Sequence, residues 1–180
     1  ITPEHSMQDL VWSSHNIRGG KRINVKLTEP EPDLRSTNYI PFVNRETGIA
    51  EKPIIPERRT YYKDVAVVAV PDREYISEDE VKDLTELMQP DGTLNWNSPE
   101  GKWTIYRFGH TTTGAQIFPA QWQATGFECD KMNQEAVDFH LDHIITEIKE
   151  NLGDLIGAGI THVHFDSYEA GMPSWTPKMP

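Results

Sequence analysis

The sequence predicts a mixed fold, an antiparallel β-sandwich-like region followed by an α/β segment, and three observations carry that reading. Short runs with a period of two recur between turn signals over residues 8–108. A single strong amphipathic helix pattern follows residue 133. Two short strand-like stretches flank that helix, giving the strand, helix, strand order of a parallel βαβ unit.

In chain order, residues 1–7 read as a loop entering a short helix, with Pro3 in the first turn behind Thr2 as N-cap. Residues 8–14 are short and mixed, and Gly19-Gly20 marks a turn. Ile23, Val25 and Leu27 then alternate with Asn24 and Lys26, as in a half-buried strand that stops at Pro30 and Pro32. Residues 31–59 shift to Pro, Asn, Arg and Glu without periodicity, the pattern of a long surface excursion. The β-branched run from Val65 to Val70 predicts a strand covered on both faces. Residues 77–88 are ambiguous, with Ser77 to Glu80 resembling a helix start and Val81, Leu84, Leu87 and Met88 able to share a helical face.

Pro90-Asp91-Gly92 and Pro99-Glu100-Gly101 are turn signals, each followed by alternation: Leu94 and Trp96, then Trp103, Ile105 and Arg107. The tryptophans of this region are expected in the core rather than on a ligand platform. After Gly109 the chain becomes small and hydroxyl-rich. Gly126-Phe127-Glu128-Cys129-Asp130 reads as a short strand with both carboxylates on one face. Val137, Leu141, Ile144, Ile148 and Leu152 then form a helical stripe, with Asn133 as N-cap and Gly153 as stop. The stretch Thr161-His162-Val163-His164-Phe165-Asp166-Ser167-Tyr168-Glu169 is a strand running out into a carboxylate-bearing loop.

Composition narrows the partners. A net charge of -11 with no basic cluster argues against nucleic acid and leaves neutral ligands, sugars and divalent cations open. A hydrophobic fraction of 37% and a charged fraction of 25% are those of a globular protein, and no apolar run approaches the roughly 20 residues of a membrane span. One cysteine, Cys129, excludes an internal disulfide and is expected as a packed residue rather than a nucleophile. The chain opens on Ile1 with neither an initiator Met nor a signal pattern, so a piece of a longer polypeptide is expected.

In a parallel β/α arrangement functional groups gather on loops after the strands' C-terminal ends. Glu128 and Asp130 end one predicted strand, Asp166 and Glu169 the next, so all four are expected on one face. Paired carboxylates there suit glycoside hydrolysis, and they also suit calcium, whose ligands are oxygens. His162, His164 and Asp166 share a strand face, which admits zinc, although a packed interior is the better account of that face. His140 and His143 are expected on the solvated side of the helix.

The chain resembles the bacterial α-L-rhamnosidases of glycoside hydrolase family 106. The resemblance lies in Ile1-Thr2-Pro3-Glu4 through Met7, in Tyr62-Lys63-Asp64-Val65-Ala66-Val67-Val68-Ala69, and in Asp91-Gly92-Thr93-Leu94-Asn95-Trp96 with residues 99–109. It continues through Gly126-Phe127-Glu128-Cys129-Asp130-Lys131 and Asp166-Ser167-Tyr168-Glu169-Ala170-Gly171, and closes at Trp175-Thr176. Residues 31–59 carry none of it, and Cys129 stands where an aliphatic residue is expected. The resemblance implies a middle slice of a larger bacterial, secreted or periplasmic enzyme. Residues 1–9 would be a barrel segment, 10–107 a β-sandwich-like insertion, and 108–180 part of a (β/α)8 catalytic barrel.

What the resemblance implies for chemistry is an inverting α-L-rhamnosidase acting on a plant or bacterial polysaccharide or glycoside, with calcium in sugar binding. Glu128, Asp166 and Glu169 become the candidate catalytic carboxylates, Glu128 and Asp166 also the candidate calcium ligands. His110, Asp130 and Trp175 become candidates for contacting the sugar. A half-barrel leaves apolar faces open, so the isolated chain is expected to be unstable and inactive. Two other readings stand beside this one: a non-catalytic carbohydrate-binding sandwich module, and a metal-dependent hydrolase using His162, His164 and Asp166.

Overall fold

The computed structural model describes residues 1–31, 42–43, 47, 50–51, 61–117, 126–162, 164 and 171–179. Its strands, in order, are β1 (Gln8–Arg18), β2 (Arg22–Lys26), β3 (Phe42–Val43), β4 (Ala50–Glu51), β5 (Tyr62–Pro71), β6 (Lys82–Asp83), β7 (Thr93–Asn97) and β8 (Lys102–Thr112), followed by helix α1 (Gln134–Leu152). One sheet has the order β1-β8-β5-β6, and β2-β7 and β3-β4 form two-stranded sheets. The chain divides into two compact units, one comprising Ile1–Asp9, Leu34–Tyr61 and Thr112–Pro180, the other Leu10–Asp33 and Tyr62–Thr111.

The second unit is sandwich-like, and its core follows from the period-two patterns. β2 pairs antiparallel with β7, setting Ile23 opposite Trp96 and Val25 opposite Leu94. Ile23, Leu94 and Trp96 meet Val67 and Ala69 of β5 and Trp103 and Ile105 of β8 in one buried cluster. Trp96 and Trp103 pack edge to face at 5.4 Å, an arrangement that suits their ring quadrupoles. Both rings are core, as expected from the sequence, but Trp12 of β1 is 59% exposed.

β5 pairs antiparallel with β8, with a register shift between Asp64 and Ala66. Before the shift Asp64 lies opposite Gly109; after it Ala66 lies opposite Phe108 and Val68 opposite Tyr106. One extra residue inverts which side chains face which way. Tyr62 and Asp64 consequently share a face with Arg107, while further along the strand Val67 and Ala69 keep the core. Arg107 grips Asp64 through two hydrogen bonds, Nε to Oδ1 at 2.7 Å and Nη2 to Oδ2 at 2.9 Å. Its Nη1 donates to the Leu27 carbonyl at 3.0 Å, and the Tyr62 hydroxyl donates to Asp64 at 2.7 Å. A Cβ on Gly109 would fall on the Tyr62 ring, so the ring occupies space that only glycine leaves. Gly92, at φ +83°, turns directly over Arg107; a Cβ there would come within 2.9 Å of Nη1.

Several expectations need correction. The β5 run is covered on one face only: Val67 and Ala69 are fully buried, whereas Ala66, Val68 and Val70 remain half-buried. Residues 8–14 are not a short mixed piece but the start of an 11-residue strand, held partly by polar contacts such as Ser13 Oγ to the Thr28 carbonyl at 2.6 Å. No helix forms over 77–88; two 3-10 turns flank β6, because Leu84 inserts into the core and Leu87 turns out. β8 runs on through His110 to Thr112, where buried hydroxyls replace apolar side chains. The start of the chain is a 3-10 turn, Pro3–His5, without a side-chain cap from Thr2.

The helix forms as the stripe predicts, capped by Asn133 accepting from the Glu135 N–H and ended at Gly153. The parallel βαβ expectation is not met among the described residues. Phe127 and Cys129 make isolated antiparallel bridges to Gln116 and Ser6, since the backbone groups of this stretch are already taken by segments running the opposite way. Residues 161, 162 and 164 adopt no strand, and the remainder of that predicted strand lies outside the described residues.

Burial alone would raise the Asp64 pKa, but the bonds from Arg107 and Tyr62 outweigh it and hold the carboxyl below its usual value. A depressed folded pKa contributes stability above the unfolded value of about 3.9, lost as pH falls through the folded one. Asp64→Asn is therefore expected to lower the urea midpoint at pH 7 and to leave a smaller loss between pH 5 and pH 3 than in the parent chain. Equal acid slopes in the two proteins would remove Asp64 from the pH dependence.

Candidate functional site

Glu128 and Asp130 sit in a short extended stretch held on both sides by backbone hydrogen bonds. The Met7 N–H donates to the Glu128 carbonyl at 3.0 Å, the Glu128 N–H to Ala115 at 2.8 Å, and the Asp130 N–H to His5 at 3.0 Å. Around it lies a layer of buried polar side chains. Ser6 Oγ donates to Thr112 Oγ1 at 2.6 Å, and the Gln8 amide donates to the carbonyls of Pro3 and Ser6 at 2.7 and 2.9 Å. A buried polar layer whose members satisfy one another is a rigid support.

The two carboxylates are used differently. Asp130 is 1% exposed; its Oδ1 accepts from the Met132 N–H at 3.0 Å and its Oδ2 from the Thr176 hydroxyl at 2.8 Å. It therefore clasps the residues after Trp175 to the turn that starts α1. The Glu128 side chain is 12% exposed and reaches Lys131 Nζ at 2.7 Å. It is less enclosed than Asp130 and has a cation beside it, the setting in which a carboxylate can meet a ligand. Cys129, between them, is buried, and burial, followed by the neighbouring Asp130 and Glu128 charges, raises its thiol pKa, so it is not an activated nucleophile.

Trp175 is half-buried and anchored through its N–H to the Gln8 carbonyl at 3.1 Å. Just before it, the Ser174 N–H and hydroxyl both donate to buried Asp9, at 3.3 and 3.2 Å. Glu128, Asp130 and Trp175 thus belong to one unit and share its hydrogen-bonded framework. His110 belongs to the other unit, buried in β8 opposite Lys63. Asp166 and Glu169 lie outside the described residues. Lys131, Thr176, Asp9 and Ser174 carry no role in the sequence reading; Thr176 meets Asp130 across 46 residues, and no local pattern announces such a pairing.

The metal expectations fare differently by chemistry. His162 and His164 are exposed, not interior, with no strand to hold them on one face, and the His162 ring pairs with the Thr161 hydroxyl at 2.8 Å. Among the described residues no three His, Cys, Asp or Glu side chains gather as a metal-ligand group. Glu128 is a hard-oxygen donor of the kind calcium takes, while both Asp130 oxygens are engaged within the chain. On α1, His143 is exposed and His140 half-buried, where burial lowers the His140 pKa. A separate pocket of about 450 Å³ in the other unit, bordered by Leu27, Pro90, Asp91 and Arg107, contains none of the predicted site residues.

Comparison with known proteins supplies the chemical class. The family model described as alpha-L-rhamnosidase, of glycoside hydrolase family 106, matches residues 1–75 and 71–180, running through the 31–59 excursion that the motifs do not cover. A Formosa agariphila protein provisionally named a β-glucuronidase is 32% identical over 192 aligned positions, covering 98% of this chain and 16% of that protein. The solved structure of a rhamnosidase from Novosphingobium sp. PP1Y superposes with a TM-score of 0.76 over 98% of this chain and 30% of that one, at 18% identity, a likeness of fold. The chain thus spans less than a third of the length of either protein.

Asp130→Ala would leave the Met132 N–H and the Thr176 hydroxyl without their buried acceptor. A loss of about 2 kcal/mol in unfolding free energy is expected, from typical costs of unsatisfied buried groups, with Asp130→Asn losing less because its carbonyl oxygen still accepts. Chemical denaturation measures both; an unchanged midpoint for Asp130→Ala would show that the clasp contributes nothing.

Proposed function

This chain belongs to glycoside hydrolase family 106, and from that premise we propose that it is a segment of an inverting α-L-rhamnosidase in which Glu128 is one of the reacting or sugar-binding carboxylates. The observation that carries the proposal is the state of Glu128: a nearly buried carboxylate, its side chain 12% exposed, fixed by backbone bonds on both flanks and paired with Lys131 at 2.7 Å. Glu169 and Asp166 are proposed to complete the carboxylate set and Trp175 to contact the sugar, whereas Asp130, 1% exposed with both oxygens engaged, is assigned to holding the fold. Inversion needs one carboxylic acid to protonate the leaving oxygen and a second carboxylate, roughly 6.5–9.5 Å away, to activate the water that attacks the opposite face.

The architecture proposed with this function is a (β/α)8 barrel supplied by residues 1–9 and 108–180, interrupted by a sandwich-like insertion at 10–107, within a longer secreted or periplasmic polypeptide. The apolar stripe of α1 supports it. Val137, Leu141, Ile148 and Leu152 are only half-buried and Ile144 is 37% exposed, as expected of a helix whose packing partners lie elsewhere in a barrel.

Hydrolysis of aryl α-L-rhamnosides by the full-length enzyme tests the reading. Glu128→Gln and Glu169→Gln are each expected to lower kcat by about 10²- to 10⁴-fold, the usual contribution of a positioned acid or base. Wild-type turnover by either variant removes that residue from the pair. Running the same assays on aryl β-D-glucuronides separates rhamnoside from glucuronide specificity.

Calcium is proposed on Glu128 and Asp166, where it would supply a fixed positive charge for sugar hydroxyls. Chelation is then expected to raise KM for the rhamnoside, with recovery on adding calcium but not magnesium. A KM indifferent to chelator would exclude the ion from sugar binding.

A further inference from the structure

The turn that joins Glu128 to α1 is closed from three directions. The Asn133 N–H donates to the Asp130 carbonyl at 3.1 Å, and the Met132 N–H to Asp130 Oδ1 at 3.0 Å. The Asp130 N–H is held by the His5 carbonyl at 3.0 Å, and its Oδ2 by the Thr176 hydroxyl at 2.8 Å. Asn133, itself buried, then opens the helix by accepting from the Glu135 N–H at 3.1 Å. Lys131 therefore rises from a backbone fixed by a buried carboxylate on one side and a helix cap on the other. From there its Nζ turns back to Glu128 Oε1 at 2.7 Å, the distance of a charge-assisted hydrogen bond. The Glu128 backbone is pinned as well, its N–H to the Ala115 carbonyl and its carbonyl from the Met7 N–H. Both members of the ion pair thus stand on backbone that is already tied down.

We propose that Lys131 is a positioning residue for Glu128: its ammonium orients that carboxylate and reserves it for the duties of an anion, leaving protonation of the leaving oxygen to Glu169 or Asp166. The inference rests on the glycosidase reading and divides roles within the same carboxylate set. Magnitudes favour orientation over stability as the purpose of the pair. The Lys131 side chain is 42% exposed, and a pair so open to solvent adds little to folding free energy. The Glu128 side chain is 12% exposed, so an adjacent cation matters more to where its carboxylate points than to whether the chain folds. A general acid is typically set against an apolar wall or beside a second ionised carboxylate; the group set beside Glu128 is an ammonium. A general base, an acceptor for sugar hydroxyls and a calcium ligand are all anions, so each of the duties open to Glu128 other than the acid is served by this pairing. In the inverting step the glycosidic C–O bond breaks toward the leaving oxygen, which takes the proton of the partner acid. The attacking water bonds to the anomeric carbon and loses its proton to an ionised carboxylate.

Leaving-group dependence in the full-length enzyme tests the division of roles, with phenyl and 2,4-dinitrophenyl α-L-rhamnosides as substrates. A dinitrophenolate departs without help from an acid, whereas a phenolate needs the proton, so loss of an acid is felt far more on the phenyl substrate. Glu128→Gln is expected to lower kcat/KM on the two substrates by factors that agree within about threefold. Lys131→Met is expected to lower it about tenfold on both, as a misplaced reacting group does, and Lys131→Arg to return it to within about threefold of the parent. Each comparison between substrates is a ratio on one preparation, so a partly unfolded variant leaves it intact. A Glu128→Gln loss at least about tenfold greater on the phenyl substrate would make Glu128 the acid and overturn the inference. Parental turnover in Lys131→Met, or a Lys131→Arg no better than Lys131→Met, would overturn it equally. A parent enzyme that turns over neither rhamnoside overturns the rhamnosidase reading and this inference with it. An active parent, with Glu128→Gln impaired alike on both substrates and Lys131→Met unimpaired, overturns this inference alone.

Discussion

The grip of Arg107 on Asp64 and on the Leu27 carbonyl is the constraint around which the sandwich-like unit is arranged. It joins β8 to β5 and to the segment just after β2 through one guanidinium. The Arg107 side chain is only 7% exposed, so its charge is tolerable only because a carboxylate and a carbonyl meet it. Asp64 is 37% exposed, so the pair is worth less than a fully buried one, but the geometric demand is unchanged. That demand explains the register shift in β5. A regular strand carrying Val67 and Ala69 into the core would turn Asp64 away from Arg107; the irregularity serves both faces at once.

The sandwich was legible in the sequence wherever burial alternates with apolar character. The pairs Ile23 with Val25, Leu94 with Trp96, and Trp103 with Ile105 announce their strands because each buries one residue in two. β1 and the end of β8 were not legible, since Ser6, Gln8, Thr111 and Thr112 are buried through hydrogen bonds, which a hydrophobic period does not register. The shift in β5 was equally silent, as Val65 resembles every neighbour in the run. At residues 77–88 a plausible helical face gave way to Leu84 entering the core, a tertiary contact overriding a local pattern.

The site was legible as a set of residue types and less so as a constellation. Glu128 and Asp130 were singled out together from their spacing, yet the structure separates their tasks: one pairs with Lys131, the other is consumed in clasping Thr176. Spacing reports which face a carboxylate occupies; it does not report which partner, many residues away, has claimed it. The exposed Trp12 makes the converse point, since in a strand with a buried period a tryptophan reads as core until the sheet's two faces are seen.

Tyr62 lies where a side chain at position 109 would have to stand, so the two positions cannot vary independently. Across the family, a residue other than glycine at 109 should be accompanied by loss of the ring at 62, and a ring at 62 should forbid anything larger than hydrogen opposite it. Because Tyr62 also donates to Asp64, such an exchange would strip one hydrogen bond from the carboxylate that holds Arg107. Positions 62, 64, 107 and 109 are therefore expected to evolve as one unit of inheritance, changing together or not at all.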